Sequence, residues 1–227
     1  MSDSAALPPV VDLADWEAAI AALREEEKAH TRRGDALAAA RRRLPMVAVR
    51  TDYHLVGEDG PIGFLDLFDG RSQLIVYHFM FGAEWDEGCD GCSWVTDAMS
   101  HPAHLHARDV TMVLVSNAPI EKLLAYRERM GWDLPWFSSH GSSFNSDMGA
   151  SVDGEEHHGL SVFLRSGDDV YRTYFTTDRG IEHFGSHWTY LDVTPYGRKE
   201  NWEDSPPGWP QDEPYVWQRR HDDYGTP

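Results

Sequence analysis

One Cys-x-x-Cys motif, Cys89-Asp90-Gly91-Cys92, most constrains what this chain can fold into. Residues 73–81, which precede it, form an apolar run bounded by turn residues and are predicted to be a buried β-strand. Residues 93–99 after the motif are able to begin a helix. This order places a dithiol at a helix N-terminus, where the partial positive charge of the helix stabilises a thiolate. The motif therefore predicts a redox site.

The two cysteines of the motif are the only ones in the 227 residues. The N-terminal residues lack the basic and apolar regions of a secretion signal, so we expect a cytoplasmic protein. In that compartment a close cysteine pair is more often catalytic or metal-binding than a structural disulfide.

The charge balance argues against two classes of partner. Lysine and arginine number 20 and aspartate and glutamate 38, which gives a net charge of −18. Such a surface repels nucleic acid and anionic lipid, and no apolar stretch is long enough to span a bilayer. We therefore expect neither nucleic acid nor membrane as a partner.

Residues 1–45 are predicted to form an N-terminal helical arm. Trp16, Ile20 and Leu23 follow helical spacing, and Gly34 either breaks the helix or only weakens it. The apolar stripe is too short for the arm to stand alone. We expect the arm to pack on the core or on a second subunit, and we expect a homo-oligomer.

Residues 46–195 are predicted to form the main domain. Its strongest strands are residues 73–81, 110–116, 160–165 and 170–175, with helices after the first two. The order β–α–β–α–β–β predicts a parallel pair extended by an antiparallel hairpin, in a mixed central sheet flanked by helices. This is an α/β architecture that the thioredoxin-like fold satisfies.

The amino-acid composition of the chain changes near residue 196. In residues 196–227 prolines and the aromatic residues Trp202, Trp209, Tyr215 and Trp217 alternate with charges. A segment of this kind is not expected to build its own core. We expect a C-terminal tail that wraps the domain or a partner subunit, with the aromatic residues as anchors.

Several stretches of the sequence carry a family resemblance. They include residues 66–82, Arg41-Arg42-Arg43-Leu44-Pro45, Gly88-Cys89, Cys92-Ser93, Arg129-Met130-Gly131-Trp132, Thr194-Pro195 and His221-Asp222. Together they resemble a bacterial thioredoxin-like family known as domain of unknown function eight-nine-nine, over nearly the whole chain. The resemblance implies a thioredoxin-like fold in which Cys89 and Cys92 match the cysteine pair of the family.

The two thiols of the motif are expected to have different roles. In a Cys-x-x-Cys at a helix start, one thiol attacks a disulfide and the second resolves the mixed disulfide. We expect Cys89 to be the exposed attacker and Cys92 the buried resolver, with a disulfide-bearing protein or a small-molecule thiol as substrate. Trp85, four residues before Cys89, is predicted to shield the site or to contact the substrate.

Acidic residues crowd the motif. Glu84, Asp86, Glu87 and Asp90 lie close to it in sequence, and residues 72–107 contain no lysine or arginine. Nearby anions disfavour a second anion, so they are expected to raise the thiol pKa values against the effect of the helix dipole. On this basis the reduced thiolate is not expected to be specially stabilised.

Two histidines, His157 and His158, precede the third core strand at the position where thioredoxin-like folds usually have a cis-proline. One of them is predicted to face the dithiol, with His158 as a substrate-binding candidate. An alternative interpretation is a copper or zinc site formed by Cys89, Cys92, His157 and His158.

Three functions are consistent with these features. The first is a thiol–disulfide oxidoreductase or thiol-dependent reductase that uses the Cys-x-x-Cys pair. The second is a metal-binding protein that holds copper or zinc through the cysteine pair and histidine. The third is a non-catalytic thioredoxin-fold scaffold whose dimer surface matters more than its cysteines. His78, inside the predicted first core strand, is interpreted as a hydrogen-bonded core residue rather than a ligand.

Overall fold

The structure, a computed structural model, describes residues 6–224. These residues fall into two units. Residues 46–190 and 217–224 form the first, here called the domain, and residues 6–45 and 191–216 form the second. No helix within the described part of the chain has the length and apolar character needed to cross a bilayer.

A mixed sheet of eight strands forms the centre of the domain. Its strands are β1 (Val47–Val49), β2 (His54–Gly57), β3 (Gly60–Gly63), β4 (Gln73–His78), β5 (Val110–Ser116), β6 (Trp136–Ser138), β9 (Gly159–Ser166) and β10 (Asp169–Thr176). They lie in the order β1-β10-β9-β4-β5-β6-β2-β3. A separate two-stranded ribbon consists of β7 (Ser151–Val152) and β8 (Glu155–Glu156).

Within residues 6–224, six α-helices accompany the strands. They are α1 (Leu13–Arg41), α2 (Asp90–Asp97), α3 (Pro102–His106), α4 (Ile120–Arg129), α5 (Phe144–Asp147) and α6 (Ser186–Asp192). Two 3-10 helices span Phe64–Phe68 and Asp178–Phe184.

The central strands have thioredoxin-like connectivity. Strand β4 pairs in parallel with β5 and antiparallel with β9, and β9 forms an antiparallel hairpin with β10. Helix α2 lies between β4 and β5 in the chain, and α4 lies between β5 and β6. The predicted parallel pair with an antiparallel hairpin is confirmed, and the chain has a thioredoxin-like α/β fold.

Alternation along β4 sends its side chains to two differently packed faces. Leu74 and Val76 belong to a buried cluster that also contains Phe64 and Phe144. Residues of opposite parity, Tyr77 among them, point to the other face. Tyr77 is 1% exposed on that face, so the end of β4 that leads to the motif is buried on both sides.

His78 is a core residue, as predicted. Its side chain is 1% exposed, its Nε2 lies 2.8 Å from Ser161 Oγ, and its ring packs against Phe144. Burial, reinforced by the positive charge of Arg172, lowers the pKa of His78 from 6.5 to about 3. The imidazole is therefore neutral in the folded protein at neutral pH.

The buried His78 predicts acid sensitivity. As pH falls from 6.5 towards 3, the unfolded chain takes up a proton at this residue that the folded chain does not. The free energy of unfolding should therefore fall with decreasing pH, by at most about 1.4 kcal/mol per pH unit from this group. Urea unfolding of wild type and His78→Gln across this range measures the difference in slope. The exposed His157→Gln is the control, and equal slopes in all three proteins would contradict the prediction.

The N-terminal arm is a single helix. Helix α1 begins after Asp12, whose side chain accepts a hydrogen bond from the Asp15 N–H, and it continues through Gly34. None of its residues is buried, and Trp16 and Leu23 are 53% and 52% exposed. Packing of the arm on the core or on a second subunit stays a prediction.

The aromatic residues of the tail have specific partners. Within the second unit, the Trp202 Nε1–H donates to Glu200 at 2.6 Å and the Trp209 Nε1–H donates to the Pro195 carbonyl at 2.8 Å. Trp217 instead belongs to the domain, where its ring lies 5.0 Å from that of Trp94. The segment predicted as one tail is thus divided between the two units.

Candidate functional site

The dithiol lies at the N-terminus of α2. Cys89 is the N-cap residue, and its Sγ accepts a hydrogen bond from the Cys92 N–H at 3.4 Å. Cys89 is half-buried, whereas Cys92 is 2% exposed, and both are free thiols. The predicted position of the motif, after the first core strand and at a helix start, agrees with the structure.

Backbone contacts fix the loop that carries Cys89. Its N–H donates to the Met80 carbonyl at 3.0 Å, and its own carbonyl accepts from Ser93 Oγ at 2.9 Å. Gly88 approaches the core so closely that a Cβ there would lie 2.6 Å from Phe79 Cε1. Any larger residue at 88 would displace the aromatic ring or the loop, so glycine sets the position of Cys89.

The two thiols have opposite acidities. A hydrogen bond from the Cys92 thiol, helped by the N–H groups of Cys92 and Gly91, lowers the pKa of Cys89 to about 7. Burial and the charge of Asp90 act in the other direction but do not prevail. Burial raises the pKa of Cys92 well above its ordinary value. The expectation that local acids would leave the thiolate without special stabilisation is therefore wrong for Cys89.

Cations distant in sequence offset the acidic residues near the motif. Arg220 forms ion pairs with Asp90 at 2.8 Å and with Glu87 at 3.1 Å. Arg129, at the end of α4, also pairs with Glu87. The absence of lysine and arginine from residues 72–107 concealed this compensation.

Arg220 belongs to a segment, residues 217–224, that we call the C-terminal strap. Its guanidinium donates to the Gly88 carbonyl at 2.7 Å and to the Tyr126 hydroxyl at 2.8 Å, and its side chain is 13% exposed. His221 Nδ1 lies 2.8 Å from Asp97 Oδ1 in α2. The strap thus contacts both the loop before Cys89 and the helix after it.

The side chain of Tyr77, in β4, lies beside the two cysteines. Its side chain is 1% exposed, and apart from the Cys92 thiol its hydroxyl has no hydrogen-bond partner among the described residues. Burial raises the pKa of Tyr77, and the neighbouring Cys92 and Cys89 raise it further. Sequence analysis missed this residue, although its place in a strand that leads into the motif was a usable signal.

Trp85 lies in the loop between β4 and α2. Its indole ring packs over Gly82, where a Cβ would be only 2.8 Å from Trp85 Nε1. Its carbonyl accepts a hydrogen bond from Lys122 Nζ at 3.0 Å. These contacts fix the half-buried ring near the dithiol loop, and a substrate-binding role for it stays a prediction.

His157 and His158 lie just before strand β9, as predicted, and His158 contacts Thr177 and Asp178. Strand β9 begins at Gly159, which lies opposite His78. The pKa of His158 is lowered by burial, against the opposing charge of Asp178, and its carbonyl accepts from Thr177 Oγ1 at 2.7 Å.

The metal-binding alternative required three or more ligands in one place. Residues 6–224 contain no group of three or more His, Cys, Asp or Glu side chains placed to hold an ion. The structure therefore does not bring Cys89, Cys92, His157 and His158 together as a copper or zinc site. A substrate-binding role for His158 stays a prediction.

Solved structures with similar folds include several redox proteins. Peroxidoxin BcpB from Mycobacterium tuberculosis is 18% identical, with 63% of this chain and 96% of that chain covered and a TM-score of 0.41. The bacterioferritin comigratory protein of Xanthomonas campestris is 10% identical, with coverages of 64% and 95% and a TM-score of 0.42. A secreted disulfide oxidoreductase of Mycobacterium tuberculosis is 10% identical, with coverages of 62% and 96% and a TM-score of 0.38.

Sequence comparison identifies a family for this chain. No curated protein matches the chain significantly. The family model described as "Bacterial protein of unknown function (DUF899)" matches residues 5–224, which is nearly the whole chain. The resemblance noted in the sequence is thereby confirmed, and the chain belongs to the DUF899 family of bacterial proteins.

Proposed function

We propose that the protein is a thiol–disulfide oxidoreductase in which Cys89 attacks and Cys92 resolves. The observation that carries this proposal is the asymmetry of the pair at the start of α2. Cys89 is accessible and its pKa is lowered to about 7, whereas Cys92 is 2% exposed and its pKa is raised by burial. An attacking thiol needs access and thiolate character, and a resolving thiol needs proximity alone.

The reaction is a two-electron exchange. The Cys89 thiolate attacks one sulfur of a substrate disulfide, the substrate S–S bond breaks, and one substrate thiolate leaves. Cys92 then loses its proton and attacks Cys89 Sγ, which breaks the mixed disulfide and releases the second substrate thiol. The substrate disulfide is reduced to two thiols, and the cysteine pair is oxidised to a disulfide.

The acidity of Cys89 suits this exchange near neutral pH. With a pKa of about 7, roughly half of Cys89 is thiolate at pH 7. A thiol whose pKa lies near the ambient pH combines thiolate fraction with nucleophilicity most effectively. Strongly oxidising dithiols have a much lower thiol pKa, about 3.5. We therefore expect a reductant of disulfides rather than a strong oxidant.

Equilibration in glutathione buffers of varied ratio tests the proposal. We expect a reversible Cys89–Cys92 disulfide, detected by alkylation of free thiols followed by mass spectrometry of the peptide that contains both cysteines. We also expect dithiothreitol-dependent reduction of a protein disulfide such as that of insulin. A pair that stays fully reduced at every ratio, with no turnover, would contradict the proposal and favour the scaffold alternative.

A further inference from the structure

We propose that the Tyr77 hydroxyl is the hydrogen-bond donor that stabilises the Cys92 thiolate during the resolving step. The inference rests on the proposed redox function and adds a residue to its second half-reaction. Tyr77 is twelve residues before Cys89 and lies in the strand beneath the dithiol, so no motif assigns it this role.

Cys92 needs help to ionise. Its thiol is nearly inaccessible to water, and burial raises its pKa well above the ordinary value. Besides burial, the largest influences on its ionisation come from Cys89, the Tyr77 hydroxyl and the Met80 N–H. The Met80 N–H lies 3.5 Å from Cys92 Sγ. None of these groups is a carboxylate or an imidazole, so Tyr77 is the side-chain hydroxyl placed to assist.

The Tyr77 hydroxyl has no other partner. It is buried and faces the Cys92 thiol, and no other group within residues 6–224 forms a hydrogen bond with it. A neutral thiol is a weak acceptor, so the buried hydroxyl is poorly satisfied at rest and is placed for a stronger acceptor that arises during the reaction. A thiolate at Cys92 is such an acceptor, because a charged acceptor strengthens a hydrogen bond.

Tyr77 acts as a donor and keeps its proton. Burial and the adjacent cysteines hold the pKa of Tyr77 well above its ordinary range, so the phenol does not act as a base. In the resolving step the proton of Cys92 passes to water, and the thiolate accepts the hydrogen bond from Tyr77. The thiolate then attacks Cys89 Sγ, and the departing substrate thiolate takes a proton from water. The electron and proton balance of the exchange is unchanged.

The two half-reactions are separable with the aromatic disulfide dithiobis(nitrobenzoic acid). Attack by Cys89 releases one coloured nitrothiobenzoate, and resolution by Cys92 releases a second. In Tyr77→Phe we expect the first release to keep its rate and the second to slow by about tenfold, the scale of one hydrogen bond to a charged acceptor. We also expect the pH midpoint of the second release to move upward, which a loss of packing alone would not produce.

Tyr53→Phe is the matched control. Tyr53 is also buried, but its hydroxyl donates to Asp147 at 2.9 Å, away from the dithiol. This variant should leave both releases unchanged. Tyr77→Phe should change the melting temperature little, because the hydroxyl that it removes faces only the weakly accepting Cys92 thiol in the resting protein.

The outcomes distinguish this inference from the proposed function. If wild type shows two releases and Tyr77→Phe shows the same second rate and pH midpoint, the role of Tyr77 is refuted and the dithiol function stands. If wild type shows no release at all under native conditions, the proposed function itself is refuted, and the role of Tyr77 with it.

Discussion

Replacement of Cys89 by serine is expected to abolish the reduction of disulfides. A hydroxyl does not replace a thiolate as the attacking group, and loss of a nucleophile lowers turnover by at least about 10³-fold. Cys92→Ser should behave differently, because the first attack needs only Cys89. That variant should accumulate a stable mixed disulfide with its substrate, visible as a single mass adduct that dithiothreitol removes.

The hydrogen-bond pattern adds a second expectation for Cys92→Ser. The largest cause of the lowered pKa of Cys89 is the hydrogen bond from the Cys92 side chain. A serine hydroxyl also donates, so the pKa of Cys89 should stay low in Cys92→Ser and rise in Cys92→Ala. Ultraviolet titration of the Cys89 thiolate measures both. Adduct formation by Cys89→Ser, with none by Cys92→Ser, would contradict this assignment and show that the two roles are reversed.

The strand order and the place of the dithiol could be predicted because they depend on local signals. Residues 73–81 are apolar apart from Gln73 and His78, and the turn and helix that follow are short-range features. A nearly continuous apolar run does not indicate which of its residues share a face of the sheet. Since both sides of β4 are covered, alternation alone did not reveal that Tyr77 points to the dithiol and His78 away from it.

The electrostatics of the site could not be read from the neighbouring sequence. Arg220 lies 132 residues from Gly88, whose carbonyl it contacts. Composition predicted a tail that wraps, but contact partners of a segment without periodic structure depend on tertiary packing. The predicted position of His158 opposite the dithiol also depended on tertiary packing. A strand end locates the backbone of a residue, and side-chain neighbours such as Asp178 come from another element.

The second large effect is expected at Arg220. Its guanidinium links the Gly88 carbonyl, the Tyr126 hydroxyl and the carboxylates of Asp90 and Glu87. Arg220→Ala leaves these groups without that partner. The carboxylates are nearly half exposed, so water compensates in part. We expect a loss of about 1–3 kcal/mol in the free energy of unfolding, as for hydrogen bonds to charged groups.

The chemical consequence of Arg220→Ala is a less acidic Cys89. The charge of Asp90 already acts to raise the pKa of Cys89, and removal of its cationic partner strengthens that influence. The first release of nitrothiobenzoate should therefore slow at neutral pH and recover at alkaline pH, where Cys89 is fully ionised. The difference between variant and wild type should shrink at high salt, because exposed charges are screened.

Two further variants separate charge from packing at this position. Arg220→Lys keeps the positive charge but loses the planar fork that contacts several acceptors at once. It should preserve most of the acidity of Cys89 and lose part of the stability. Arg127→Ala is the matched control, since Arg127 lies on α4 but pairs with Glu58 instead of the dithiol loop. If Arg220→Ala leaves the unfolding free energy and the pH midpoint of Cys89 unchanged, the strap does not support the site, and the acidity of Cys89 comes from α2 alone.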